Sequence, residues 1–252
     1  RLATSDIWFP ELALKNSGRM FERWPKTVSI EEGGKVTFQQ RLSGTFSSYQ
    51  QFDNYPFDRQ EIALRFFLLN WTSEKVKLVK DPVFTGMSDL LNISDWQITG
   101  VETHIEAERL EATESVHDWL IFKVKAERYL DYYIWKILVP IALIVAMSWC
   151  VFWIDPSHFG SQIGFSATAV LTIIAFIFAT TNLLPRLGYF TLLDKYIAGA
   201  TVFVFLALLQ SLTTGYLVSR DQKVAARRID LASRIMFPVS FAIFCLWLLR
   251  NL

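Results

Sequence analysis

The run YYIWKILVPIALIVAMSWCVFW, residues 132–153, decides the fold. Lys136 is its only charged residue, and as a helix rising 1.5 Å per residue it would reach about 33 Å, enough to cross a hydrocarbon core. With Ile154 it forms the first of four apolar runs; the others are Ile163–Leu184, Ile197–Val218 and roughly Ala232–Leu249. Core helices of a soluble protein would need polar faces, and four such runs between residues 132 and 252 leave none. The reading is therefore an all-α, four-helix transmembrane bundle, with helices at about 132–154, 163–184, 197–218 and 232–249. The last is the shortest.

Charge sets the topology. Residues 1–131 carry 16 Lys/Arg against 20 Asp/Glu, and residues 132–252 carry 9 against 4. Arg220, Lys223, Arg227, Arg228 and Arg234 crowd the connection between the third and fourth runs, which marks that side as cytoplasmic. Four crossings then place residues 1–131 and the Pro185–Tyr196 loop outside the cytoplasm, a multi-pass protein of the cell membrane. Aromatics at both ends of the first run agree: Tyr129, Tyr132, Tyr133 and Trp135 at one end, Trp149 and Trp153 at the other. Both cysteines, Cys150 and Cys245, fall inside apolar runs, so residues 1–131 hold no disulfide and a bacterial source is expected. The chain starts at Arg1, and an exported domain needs a signal, so further sequence is expected upstream.

The polar half reads as β structure. Alternating stretches recur, among them RQEIALRFFLL, WQITGVETHIEAE and HDWLIFKVKAER, and Gly33-Gly34 between two such runs signals a hairpin. This predicts an immunoglobulin-like antiparallel β-sandwich over residues 1–131. Catalytic chemistry is not expected. The three histidines, His104, His117 and His158, have no zinc-ligand spacing, and there is no phosphate loop or nucleophile elbow. No cofactor and no nucleic-acid partner is expected, and the acidic stretch Glu102–Glu114 reads as a solvated face ahead of a divalent-cation site.

The second run, GFSATAVLTIIAFIFATTN, differs from its neighbours. Steps of four and three place Gly164, Thr168, Leu171, Ala175, Phe178 and Asn182 on one helix face, with Ser161 extending it. Val170, Ile173, Ile174 and Ile177 are assigned to the opposite side. Two uses fit such a stripe: close helix packing, or a channel lining in which Thr168 hydrates an ion while rings of Leu171 and Phe178 close by dewetting. One chain cannot enclose a path with one helix, so the second use requires an oligomer.

In this order and spacing the motifs resemble those of the pentameric ligand-gated ion channels, the Cys-loop receptor superfamily, with the bacterial branch closer. They are the loop FDNYPFDRQ at residues 52–60, the first run with Pro140, the hydroxyl-bearing second run, TTNLLPRLGYFTLLDKYI after it and SRIMFPVSF in the fourth. Animal members carry a disulfide across the Tyr-Pro-Phe-Asp loop; here Ser48 and Ile62 stand at those positions. DIWFPEL resembles the first ligand-loop segment, which several strands normally precede.

The resemblance implies a homopentamer whose agonist, bound by the outer domain, opens a central pore lined by the second helix. Tyr55, Pro56, Phe57, Asp58, Arg128, Pro185 and Arg186 are expected to couple the domains, with an Asp58–Arg128 ion pair among them. Trp8, Glu11, Phe67, Leu69 and Trp119 are the expected ligand-site residues. The middle segment RFFLLNW puts Phe67, Leu68 and Leu69 where an aromatic or acidic pair is expected, and the hairpin RLEATESVHDW has no tyrosine and no paired cysteines, which does not support an amine held by cation–π contacts and leaves a proton, a divalent cation or another small molecule as agonist or modulator. Gly160 and Ser161 stand where cation-selective members carry glutamates. The acidic outer half nevertheless favours inorganic cations as the permeant species. The rival reading is a non-conducting ligand-binding membrane receptor of the same fold.

Overall fold

The computed structural model describes residues 8, 11–22, 27–81, 85–88, 93–110, 114–181 and 187–252. They fall into two compact units. The first comprises the described residues up to Gln50 together with Arg59–Glu127, and the second Gln51–Asp58 together with Arg128–Leu252.

The first unit is antiparallel β structure. Its strands are β1 (Leu12–Leu14), β2 (Ser17–Glu22), β3 (Thr27–Ile30), β4 (Val36–Gln39), β5 (Leu42–Phe46), β6 (Arg59–Leu68), β7 (Trp96–Arg109) and β8 (Val116–Arg128). They form a four-stranded sheet in the order β1-β6-β8-β7 and two ribbons, β2-β5 and β3-β4. The β3-β4 hairpin turns through Gly33 and Gly34 at φ 117° and 84°, a region that residues with a Cβ rarely enter. Along β8, His117, Trp119 and Ile121 are buried and alternate with more exposed neighbours, the period of two that makes one face a core. That core is Phe67, Trp119 and Ile121, with Ala13, Ala63 and Leu110 against it.

The second unit holds four helices long and apolar enough to cross a membrane: α1 (Asp131–Trp153), α2 (Phe159–Thr180), α3 (Leu192–Ser219) and α4 (Lys223–Arg250). Each starts earlier than the apolar runs suggest. The difference is largest at α4, which begins at Lys223 where hydropathy marks only Ala232 onward. Ala225, Ala226, Arg227 and Arg228 are good helix formers, so the basic stretch read as a connection is the first turns of the helix. Helix α1 widens to a π-helical stretch at Ile134–Leu138, just ahead of Pro140. Proline has no N–H to give an α-turn and crowds the preceding carbonyls, which a wider turn relieves. The Tyr196 hydroxyl of α3 donates to the Leu138 carbonyl in this region at 3.0 Å.

The helices pack through Ile137, Ile141 and Val145 of α1, Ala169 and Ile173 of α2, Leu193, Ala200 and Val204 of α3, and Phe241 of α4. Close approach is possible because α3 carries glycines at its contacts. A Cβ on Gly199 would fall 2.1 Å from the Phe244 ring, and one on Gly215 would meet Phe159. At the far end of α1, Arg234 of α4 donates to the Phe152 carbonyl at 3.0 Å and lies over the Trp153 ring.

Candidate functional site: the exposed stripe of the second helix and the loop at the helix ends

Helix α2 has two unlike faces. Gln162, Ser166, Ala169, Ile173 and Thr180 are buried in the bundle. Ser166 shares a hydrogen bond with Ser211 of α3 at 3.0 Å, so one small polar pair is spent on packing. On the other side Ser161, Gly164, Thr168, Leu171, Ala175 and Phe178 are all exposed, Leu171 at 67% and Phe178 at 74%. A Cβ on Gly164 would meet nothing within 4 Å. Of the bulky positions assigned to the opposite side, Ile173 is buried and Val170 and Ile177 are half-buried. Ile174 is 41% exposed, because it lies between the two faces. The Thr168 hydroxyl donates to the Gly164 carbonyl at 2.8 Å, which leaves its oxygen lone pairs directed off the helix. Asn182 lies outside the described residues.

The loop FDNYPFD, residues 52–58, belongs to the helical unit and not to the strands that flank it in sequence. Tyr55 is buried and joins the same hydrophobic cluster as Ile137 and Leu193. Its ring meets Phe52 and Tyr133 edge-on, at 6.3 and 5.3 Å between centroids. Pro56 is buried behind a cis Tyr55–Pro56 bond, and Phe57 is half-buried.

The backbone of this loop completes the start of α3. A helix begins with N–H groups that have no partner within it. Here the Leu192 and Leu193 N–H groups donate to the Asp53 and Tyr55 carbonyls, at 2.9 and 3.1 Å. The next donor, Asp194 N–H, is taken by the Thr191 hydroxyl in a reciprocal capping box. Two of the three donors after the cap are thus satisfied by the loop. Phe52 N–H also donates to the Tyr189 hydroxyl at 3.1 Å.

The charge on the loop is held in the same way. Arg128 donates through Nε to Asp58 Oδ1 at 2.9 Å and through Nη2 to Oδ2 at 3.2 Å, a two-pronged pair. The side chains are 9% and 2% exposed. The guanidinium lies 4.8 Å from the Tyr55 ring centroid and 5.8 Å from that of Tyr133. Burial works against the charge on Arg128, but the hydrogen bonds and the charge of Asp58 outweigh it and raise its pKa above the ordinary value. Burial, and then the Tyr133 hydroxyl, push the Tyr55 phenol far above its usual range. Pro185 and Arg186 lie outside the described residues.

The expected ligand residues divide. Phe67 and Trp119 belong to the core of the β unit, stacked at 4.5 Å between centroids, and the Trp119 indole N–H is taken by the Glu108 carbonyl at 3.2 Å. Trp119 is 0% exposed, so within one chain it offers a ligand no surface. Trp8, Glu11 and Leu69 are exposed, and Trp8 meets Trp71 edge-on at 5.4 Å. Among the described residues no cluster of three metal-ligating side chains occurs.

Sequence reasoning missed Thr191, Asp194 and Tyr133 as parts of this assembly. The signal for the first two was present in the Thr-x-x-Asp spacing ahead of an apolar run. Nothing local marks Tyr133 as a partner of the loop.

A β-sandwich unit joined to four membrane helices, with one helix bearing an exposed small-and-apolar stripe, defines a receptor-type membrane protein. The comparisons make the class specific. The ligand-binding domain model of the neurotransmitter-gated ion channels matches residues 1–129, and their transmembrane-region model matches residues 137–225. The chain belongs to the neurotransmitter-gated ion-channel family and is a multi-pass membrane protein with an extracellular ligand-binding domain. It is 25% identical over 235 residues to a proton-gated ion channel of Gloeobacter violaceus, covering 93% of this chain and 65% of the relative. It is 29% identical over 216 residues to a gamma-aminobutyric acid receptor subunit beta-like protein of Drosophila melanogaster, covering 83% and 43%. A gamma-aminobutyric acid receptor subunit beta of Lymnaea stagnalis is 28% identical over 238 residues, covering 91% and 47%. The chain spans less than two thirds of the length of each of these relatives.

Proposed function

We propose that the chain is one subunit of a ligand-gated ion channel, a homopentamer in which each copy turns the exposed face of α2 to a central pore. The observation that carries this is the stripe itself. In water a face holding Leu171 and Phe178 at such exposure is costly, and in lipid the small and hydroxylated positions Ser161, Gly164 and Thr168 gain nothing. A narrow path that is wet at its inner end and apolar further out uses both. From Gly164 to Phe178 the lining rises about 21 Å, with Leu171 and Phe178 as two rings that close by dewetting.

Gating runs through the loop at residues 52–58. Tyr55, Pro56 and Phe57 wedge it among the helix ends, two carbonyls tie it to α3, and Asp58 ties it to Arg128 at the entry to α1. Pro185 and Arg186, in the connection from α2 to α3, extend the coupling path. An agonist of the outer domain opens the pore by as much as it favours the open arrangement. Trp8, Glu11 and Leu69 are the surface positions for that agonist, with Phe67 and Trp119 shaping the site from behind. A proton, a divalent cation or another small molecule is its class, and the relation to a proton-gated channel supports the first.

Inorganic cations are the permeant species, drawn by an outer half with 20 acidic against 16 basic residues. The test is single-channel recording from purified protein in a planar bilayer, with acid pulses and a divalent-cation series under a sodium chloride gradient. Acid-evoked unitary currents reversing near the sodium potential are expected. Reversal near the chloride potential would overturn the selectivity, and silence under every condition would favour a non-conducting receptor.

A further inference from the structure

The β unit releases the chain at Gln50 and takes it back at Arg59, so the loop at residues 52–58 hangs from two stalks, residues 47–50 and 59–63. Among the described residues no strand ladder joins the two. The first stalk follows β5, which pairs with β2, and the second is the start of β6, which pairs with β8 and β1. Strand β1 covers its edge of β6 only at Phe66, Phe67 and Leu68. Beyond Phe66 the same edge presents the carbonyls of Arg65 and Ala63, and a carbonyl held away from water needs a donor.

The turn at Lys15 and Asn16 supplies both donors. Lys15 N–H donates to the Arg65 carbonyl at 3.0 Å, which continues the β1 ladder by one rung. A side chain makes the next rung: Asn16 Nδ2 donates to the Ala63 carbonyl at 3.0 Å. The same nitrogen donates to the Ser47 carbonyl at 2.7 Å, and Ser47 N–H returns a bond to the Asn16 carbonyl at 2.9 Å. Both hydrogens of the amide are thus used, one on each stalk, and both backbone polar groups of Ser47 are held by one residue. The orientation is fixed, because turning the amide over would set its oxygen against two carbonyls. Asn16 Oδ1 is left buried with no hydrogen-bond partner among the described residues, a cost accepted for the clasp.

We propose that Asn16 is a positioning residue for gating: it clasps the two stalks so that a displacement of the β unit reaches the loop as one movement and not as two. Ser48 and Ile62 stand beside the clasped carbonyls, so no disulfide can join the stalks there, and their separation rests on these hydrogen bonds. The residue type follows from the geometry. An aspartate would set a carboxylate against two carbonyls, and a leucine of similar shape would donate nothing. The inference rests on the gating role proposed for the loop, and one of its two readouts needs no current.

In the test, Tyr49→Cys and Glu61→Cys, one on each stalk and both exposed, carry nitroxide labels in the full chain with Cys150 and Cys245 replaced by serine. Spin–spin distances are read in lipid vesicles, and single channels are recorded at saturating acid. Asn16→Ala and Asn16→Leu should widen the distribution of distances within one subunit. Open probability should fall about fivefold, as the net worth of one hydrogen bond allows, with unitary conductance unchanged. A residue that only stabilises the fold would lower the number of channels and leave the open probability of each one alone. An unwidened distribution in Asn16→Leu, which keeps the shape of the side chain, would overturn the clasp whatever the currents do. Widened distances with unchanged open probability would overturn its part in gating. A wild type that stays silent in acid would sink the gating reading and the positioning role with it, while the distances report the clasp separately.

Discussion

Removing one partner of the Asp58–Arg128 pair tests the coupling account where its magnitude is largest. Arg128→Ala leaves the Asp58 carboxylate buried, with its side chain 2% exposed and its two hydrogen bonds from Arg128 gone. Breaking such a pair from one side costs about 3–5 kcal/mol. The Tyr55 and Tyr133 rings lose the cation between them as well, at about 0.5–2 kcal/mol. The loss should be felt first in the loop, because the unit as a whole is held by the helix core. The Leu192 and Leu193 amides, which donate to the loop at 2.9 and 3.1 Å, then exchange faster by a factor on the order of a hundred or more.

Hydrogen exchange on the purified protein measures this directly, and a thermal melt read by tryptophan fluorescence measures the global part. The double variant Asp58→Asn, Arg128→Gln removes both charges and should recover a large share of the loss, giving a coupling energy of about 1–3 kcal/mol. Unchanged protection at Leu192 and Leu193 in Arg128→Ala, with additive single-variant losses, would refute the reasoning.

Two further predictions concern the helices. Leu171→Ala removes three carbons from each copy's share of the inner apolar ring, at about 0.8 kcal/mol each if fully desolvated. Even partial exposure in the open state should move the closed–open equilibrium about tenfold toward open, seen as raised resting current at equal surface expression. Gly199→Ala places a methyl group 2.1 Å from Phe244 and should destabilise the α3–α4 contact by about 1–3 kcal/mol, whereas Gly164→Ala, with open space around it, should leave the melting temperature nearly unchanged.

Much of this was legible in the sequence because a membrane leaves few choices. An apolar run long enough to cross can only be a helix, and the stripe on α2 follows from a period of 3.6 alone. The start of α4 was not legible by that route, since Lys223–Leu231 carries four charges, at Lys223, Arg227, Arg228 and Asp230, and its helicity comes from propensity and from Ala226 and Asp230 packing inward. The start of α3 was missed for a different reason. Its first turn is closed by carbonyls of residues 53 and 55, more than 130 positions away, and local patterning carries no trace of them. Arg128 and Asp58 could be paired because the loop motif is specific. Trp119 could not be placed, because an aromatic on a half-buried strand reads the same whether it lines a site or fills a core.

The central claim, that the exposed face of α2 lines a water-filled path, is tested most directly by cysteine substitution in a chain with Cys150 and Cys245 replaced by serine. Cysteines at Ser161, Gly164, Thr168, Leu171, Ala175 and Phe178 are compared with cysteines at Ser166, Ala169 and Ile173. A charged, water-soluble thiol reagent applied during channel activity should block current through the first set and spare the second. Block that fails to follow the stripe, or that falls on the buried positions instead, would contradict the account.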